Sequence, residues 1–132
     1  MRSARFNVIM AGETILLVEG DHIVRSLLAR LLRIEGYSVI QAANGVEALE
    51  KWKQHHGVVH LVLTDIQMPV SNGSELIQIL TGSHSETKVL YVTAVSAEAL
   101  SEIHPGTTSA TRLEKPVSRD ALLKKVRELL QK

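Results

Sequence analysis

A single α/β domain built on a parallel five-stranded sheet of order 2-1-3-4-5, with helices on both faces, is what this sequence predicts. From Glu13 onward, short apolar runs alternate with stretches of 3.6-residue periodicity and few residues between them, the pattern of parallel βαβ units. Runs one, three and four are almost continuously apolar, as strands covered on both faces are, whereas runs two and five are mixed and belong at the edges. The chain has 132 residues, 45% of them hydrophobic, enough to close one core and too few for a second domain.

Residues 1–12 carry two arginines and one short apolar stretch before Gly12, and are expected to form a flexible tail, leaving 13–132 as the domain. The first strand is expected from Ile15 to Val18. The helix after it repeats Val24, Leu27, Leu28, Leu31 and Leu32, with Arg25, Arg30 and Arg33 turned outward, and ends near Gly36. A second strand around Val39 and Ile40 leads to Asn44, which suits the cap of a helix carrying Val46, Leu49 and Trp52. That helix is expected to stop near His55, His56 and Gly57. Leu61 to Thr64 forms the third strand, and a loop through Pro69, Asn72 and Gly73 opens a short helix with Leu76, Ile77 and Leu80. Val89 to Val92 is the fourth strand, and Ser96 caps a weak fourth helix. A loop follows around Pro105 and Gly106, and Ala110 to Leu113 makes a poor fifth strand. Ser118 caps the last helix, with Leu122, Leu123, Val126, Leu129 and Leu130 on one side.

Composition narrows the function. Lysine and arginine number 15 against 14 aspartates and glutamates, so no net field holds the chain on DNA or an anionic membrane. Trp52, Tyr37, Tyr91 and Phe6 are the only aromatics, too few for a stacking platform on single-stranded nucleic acid. Without cysteine there are no disulfides, thiolate zinc sites or thiol nucleophiles. No apolar run approaches the roughly 20 residues of a membrane-spanning helix, and Phe6 to Met10 is too short for a signal-peptide core. A cytoplasmic location is expected.

The polar residues that end the apolar runs carry the chemistry. Asp65 closes the third strand, and Glu19 with Asp21, Thr93 and Lys115 follow their own runs in the same way. In a 2-1-3-4-5 sheet the connection reverses between strands one and three, opening a crevice at their carboxyl ends onto which these positions converge. Crowded carboxylates repel unless a cation sits among them, and a hard divalent ion such as magnesium, which takes oxygen ligands and keeps several waters, suits the place. Lys115 adds a positive charge and Thr93 a hydroxyl. Together these suit in-line transfer of a phosphoryl group onto the Asp65 carboxylate.

The segments Thr14 to Glu19, Leu63 to Pro69, Val92 to Ala94 and Glu114 to Pro116 together resemble the receiver domains of two-component response regulators, over about residues 13–131. The last third, with Pro105-Gly106 and Arg119 to Lys124, looks most like receivers attached to hybrid sensor histidine kinases. The resemblance implies a flavodoxin-like (βα)5 fold in which Asp65 takes a phosphoryl group from a kinase phosphohistidine. Such a domain is no classical enzyme, but assists its own phosphorylation and hydrolysis. It further implies magnesium held by Asp65, by the Gln67 backbone carbonyl and, through water, by Glu19. Thr93 and Lys115 would grip the phosphoryl oxygens, and the Lys115–Pro116 bond would be cis. The implied partners are a sensor kinase or phosphotransfer protein and a downstream target bound through helix four, strand five and helix five. No effector segment follows Lys132, so output is expected through partner binding or from a larger parent protein.

Two departures stand against this pattern. Relatives carry adjacent acids after strand one, the second binding metal directly, and here that position is Gly20, with Asp21 one residue late. Strand parity would point Asp21 the same way as Glu19, unless a loop beginning at Gly20 redirects it. Magnesium binding is therefore expected to be weakened. Arg112 stands on strand five at the switch position, paired functionally with Thr93, where relatives carry an aromatic that turns inward on phosphorylation; an arginine is costly to bury there. These departures motivate a second reading, a degenerate receiver acting as a phosphorylation-independent interaction module.

Other signals carry less. A haloacid-dehalogenase-type phosphatase needs a second acid where Gln67 stands, and a flavodoxin needs a phosphate cradle where Glu19 to His22 is acidic. His55, His56 and His60 straddle a helix end without an acidic partner at fixed spacing. Asn72-Gly73-Ser74 matches a glycosylation acceptor by chance.

Overall fold

The computed structural model describes residues 12–55, 58–65, 87–93 and 112–131. Its elements run β1 (Thr14–Val18), α1 (His22–Ile34), β2 (Ser38–Ala42), α2 (Gly45–Gln54), β3 (Leu61–Thr64), β4 (Lys88–Thr93), β5 (Arg112–Glu114) and a C-terminal helix (Arg119–Leu130). All four strand pairings are parallel and the order is β2-β1-β3-β4-β5, as the apolar runs require. The tail up to residue 11, the expected third and fourth helices with Ser96, and the loops through Asn72 and Pro105 lie outside the described residues.

Alternation along the central strands divides the core in two. Ile15 and Leu17 of β1, Leu61 and Leu63 of β3, and Leu90 and Val92 of β4 pack with Leu28 and Leu32 of α1 and with Leu122 and Val126 of the C-terminal helix. Leu16, Val18 and Val62 turn to the other face, against Ala48 and Trp52 of α2. This is the period-two consequence of a sheet covered on both sides. Leu122 is fully buried, so Leu122→Ala is expected to cost about 2–5 kcal/mol of unfolding free energy, read as a lower urea midpoint.

The helix ends are fixed by the residue types that stand there. The Asn44 side chain accepts from the Glu47 N–H at 2.9 Å, while the Glu47 carboxylate reaches back to the Ala43 N–H at 2.7 Å. Ser118 Oγ accepts from the Ala121 N–H at 3.1 Å. Each satisfies a donor that the first turn leaves without an intrahelical partner. Past α1 the chain turns at Gly36 with φ 104°, a conformation that suits glycine.

Some expectations shift. β5 is described over Arg112–Glu114, one residue beyond the expected end at Leu113, and the expected start at Ala110 lies outside the described residues. Leu27 and Val46, taken as inward positions, are exposed, because α1 and α2 are apolar around more than the stripe that fits against the sheet. Arg25, expected to point outward, is half-buried and folds back on the loop after β1. His60 is tied to the sheet, with Nδ1 accepting the Thr14 N–H at 2.9 Å.

Candidate functional site

β1 and β3 are adjacent and in register, Val18 opposite Thr64, so the residues that follow them meet at one rim. Glu19 leaves β1 with its N–H bonded to the Ala42 carbonyl at 3.0 Å, and Asp65 leaves β3 with its N–H facing the Val18 carbonyl at 3.4 Å. Thr93 closes β4 opposite Glu114, which places its backbone at the same rim, one residue before Lys115 in the register of β5. The Lys115–Pro116 peptide bond is cis.

Lys115 joins the two acids. Its ammonium donates to Asp65 Oδ2 at 2.7 Å and to Glu19 Oε1 at 3.2 Å. The carboxylates are well covered, with side-chain exposure of 7% for Glu19 and 13% for Asp65, while the Lys115 side chain keeps 31%. Burial alone would lower the Lys115 pKa, but the hydrogen bond to Asp65, the Asp65 charge and the Glu19 carboxylate outweigh it and hold the group above its ordinary 10.5.

The loop between β1 and α1 organises Glu19 without adding a further acid to it. Glu19 Oε2 accepts the Asp21 N–H at 3.0 Å, and the Arg25 guanidinium donates to the Glu19 carbonyl at 2.8 Å. Asp21 is redirected rather than continuing strand parity: its Oδ1 accepts the N–H groups of Ile23 and Val24 at 2.9 and 3.1 Å, capping α1. An aspartate directly before a periodic helical stretch is a start signal readable from sequence. Arg25, three residues beyond His22 and within 3.2 Å of its Nδ1, had no comparable signal. Gly20 stands between the two acids with φ outside the left-handed region, and a Cβ there would meet only the Ala43 carbonyl oxygen at an ordinary 3.6 Å.

Arg112 lies opposite Tyr91 across β4 and β5 and reaches Glu114 at 3.3 Å, an acid on its own strand. Tyr91 is buried, and burial pushes its phenol up to about 12.

The fold that carries this rim is that of a known family. The profile of the response regulator receiver domain matches residues 15–127. The chain belongs to that receiver family. It is 36% identical over 119 residues to the sensor kinase CckA of Brucella abortus, a match covering 90% of this chain and 13% of that protein. The chain thus spans about an eighth of the length of the sensor kinases it matches. Among solved structures, the receiver domain of the hybrid histidine kinase CckA superposes with a TM-score of 0.74 at 33% identity, covering 89% of this chain and 99% of the other. A CheY-like receiver from Methanospirillum hungatei superposes at 0.81 and 28% identity, covering 91% and 94%. The chain is therefore a CheY-like receiver module, close to those of hybrid sensor kinases, and not a classical enzyme. Among the described residues no helix is long and apolar enough to cross a membrane.

A magnesium ion, which the family implies, fits these residues poorly. Among the described residues no three His, Cys, Asp or Glu side chains come together where they could hold a metal. Gly20 brings no carboxylate between Glu19 and Asp21, Asp21 is spent on the α1 cap, and Glu19 and Asp65 share the Lys115 ammonium. The Gln67 carbonyl lies outside the described residues, and Thr93 is described by its backbone.

Proposed function

We propose that this receiver is a protein-interaction module whose partner binding does not depend on phosphorylation of Asp65. One observation carries the reading: the glycine between Glu19 and Asp21 answers no backbone need, yet it removes the acid that would hold magnesium directly. Arg112 supports it, since an arginine bound to Glu114 replaces the aromatic that relatives turn inward.

The partner is a histidine kinase or phosphotransfer protein, in keeping with the likeness to CckA, and a downstream target binds at β5 and the C-terminal helix together with the fourth helix expected from sequence. The exposed aliphatic residues Ile23, Leu27 and Ile34 on α1 offer a further contact for the kinase-side partner, with Arg30 beside them. Spacings of four and seven residues put them along one face.

The competing reading is favoured by the 2.7 Å contact between Lys115 and Asp65, which keeps the ammonium where a phosphoryl oxygen would arrive. There, an Asp65 oxygen attacks the phosphohistidine phosphorus, the P–O bond forms, the P–N bond breaks and the departing imidazole takes up a proton. Incubation with acetyl phosphate and magnesium followed by intact mass separates the two. No phosphate-sized gain is expected on the natural chain; stoichiometric gain, abolished in Asp65→Asn, would establish the phosphoacceptor instead.

A further inference from the structure

We propose that the Lys115 ammonium is the resident cation of this site, taking the place between Glu19 and Asp65 that a divalent ion would need, so that the negative charge of the rim is partly offset and the two acids are held in one arrangement without metal. The inference deepens the module reading and rests on it. Two largely buried carboxylates at the carboxyl ends of adjacent strands need positive charge close by. Lys115 supplies it to both at once, at 2.7 and 3.2 Å.

The remaining Glu19 oxygen takes the Asp21 N–H at 3.0 Å, so each Glu19 oxygen has a donor. An ion entering at Glu19 must therefore compete with the ammonium on one oxygen and with a backbone donor of the loop that starts α1 on the other. That loop is itself fastened by Asp21 on the first turn and by Arg25 on the Glu19 carbonyl. Gly20 gives an incoming ion no anionic ligand in return for that disruption.

The test follows the thermal unfolding midpoint of the full chain with magnesium chloride against sodium chloride at matched ionic strength. The natural chain is expected to show the same midpoint in both salts. Lys115→Met is expected to unfold at lower temperature and to recover part of the loss with magnesium, which then fills the vacated place. A magnesium-dependent rise in the natural chain equal to that in Lys115→Met would overturn the inference, as would a Lys115→Met chain that folds and gains nothing from the ion. Should Lys115→Met not fold, manganese-induced broadening of the Gly20 and Asp21 amide signals in the natural chain decides, its absence supporting the inference and its presence refuting it. Acetyl phosphate labelling is read separately. Ion binding without labelling removes this inference and leaves the module reading in place, whereas labelling removes the module reading and this inference with it.

Discussion

Gly20→Asp is expected to tighten magnesium binding by at least the roughly 10- to 100-fold that partners outside the first ligand shell supply, about 1.4–2.7 kcal/mol. The substitution is sterically inexpensive. Position 20 has no left-handed backbone to protect, and the new Cβ meets one carbonyl oxygen at van der Waals distance. Its electrostatic effect runs in two directions. Without metal, a third carboxylate beside Glu19 and Asp65 adds to a negative charge that one lysine already offsets only in part, so the unliganded variant is expected to be less stable than the natural chain. With magnesium the same carboxylate becomes a direct ligand, and the stability returns by mass action on the folded state. A metal titration of both chains, followed by Trp52 fluorescence and by unfolding midpoint, checks this. Equal affinities in the two chains would show that glycine at position 20 is not what weakens the site, and the module reading would lose its main support.

The fold was legible because its rules are local. Continuous apolar runs for β1, β3 and β4, mixed runs for β2 and β5, and capping residues at Asn44 and Ser118 are each visible in a few letters, and the sheet order follows from which runs are covered on both faces. The rim was legible for the same reason, since strand ends in a parallel sheet point one way. Side-chain direction within the loop after β1 was not. Asp21 can serve a metal or a helix start equally well by type, and the unsatisfied N–H groups of Ile23 and Val24 decide the matter. Periodicity also overstated burial: α1 carries apolar residues at Ile23, Leu27 and Ile34 beyond the stripe of Leu28 and Leu32 that reaches the sheet. A count of apolar positions does not say which of two stripes is inside.

Removing the lysine charge has the other large expected effect. A partner lost from a fully buried ion pair costs about 3–5 kcal/mol, because the remaining charge is left uncompensated. Here the ammonium retains 31% side-chain exposure, so solvent screens part of it, and Lys115→Met is expected to cost about 1–3 kcal/mol in metal-free buffer near neutral pH. The pH dependence carries the same signature. Lys115 is held above its ordinary 10.5 in the folded chain, so its contribution is complete below that value and is lost as pH rises through the folded pKa. Tyr91 adds to the alkaline loss, since its neutral phenol is favoured by burial and its share fades between 10.0 and about 12. Tyr91→Phe removes the Tyr91 share and leaves those of Lys115 and of Tyr37, whose phenol burial also raises, so urea midpoints for that variant are expected to fall above pH 10.5. In a Tyr91→Phe, Lys115→Met chain they are expected to start lower and to fall much less over the same range. If both chains fell equally, the alkaline loss would belong to other groups, and the ammonium would contribute little to holding Glu19 and Asp65 together.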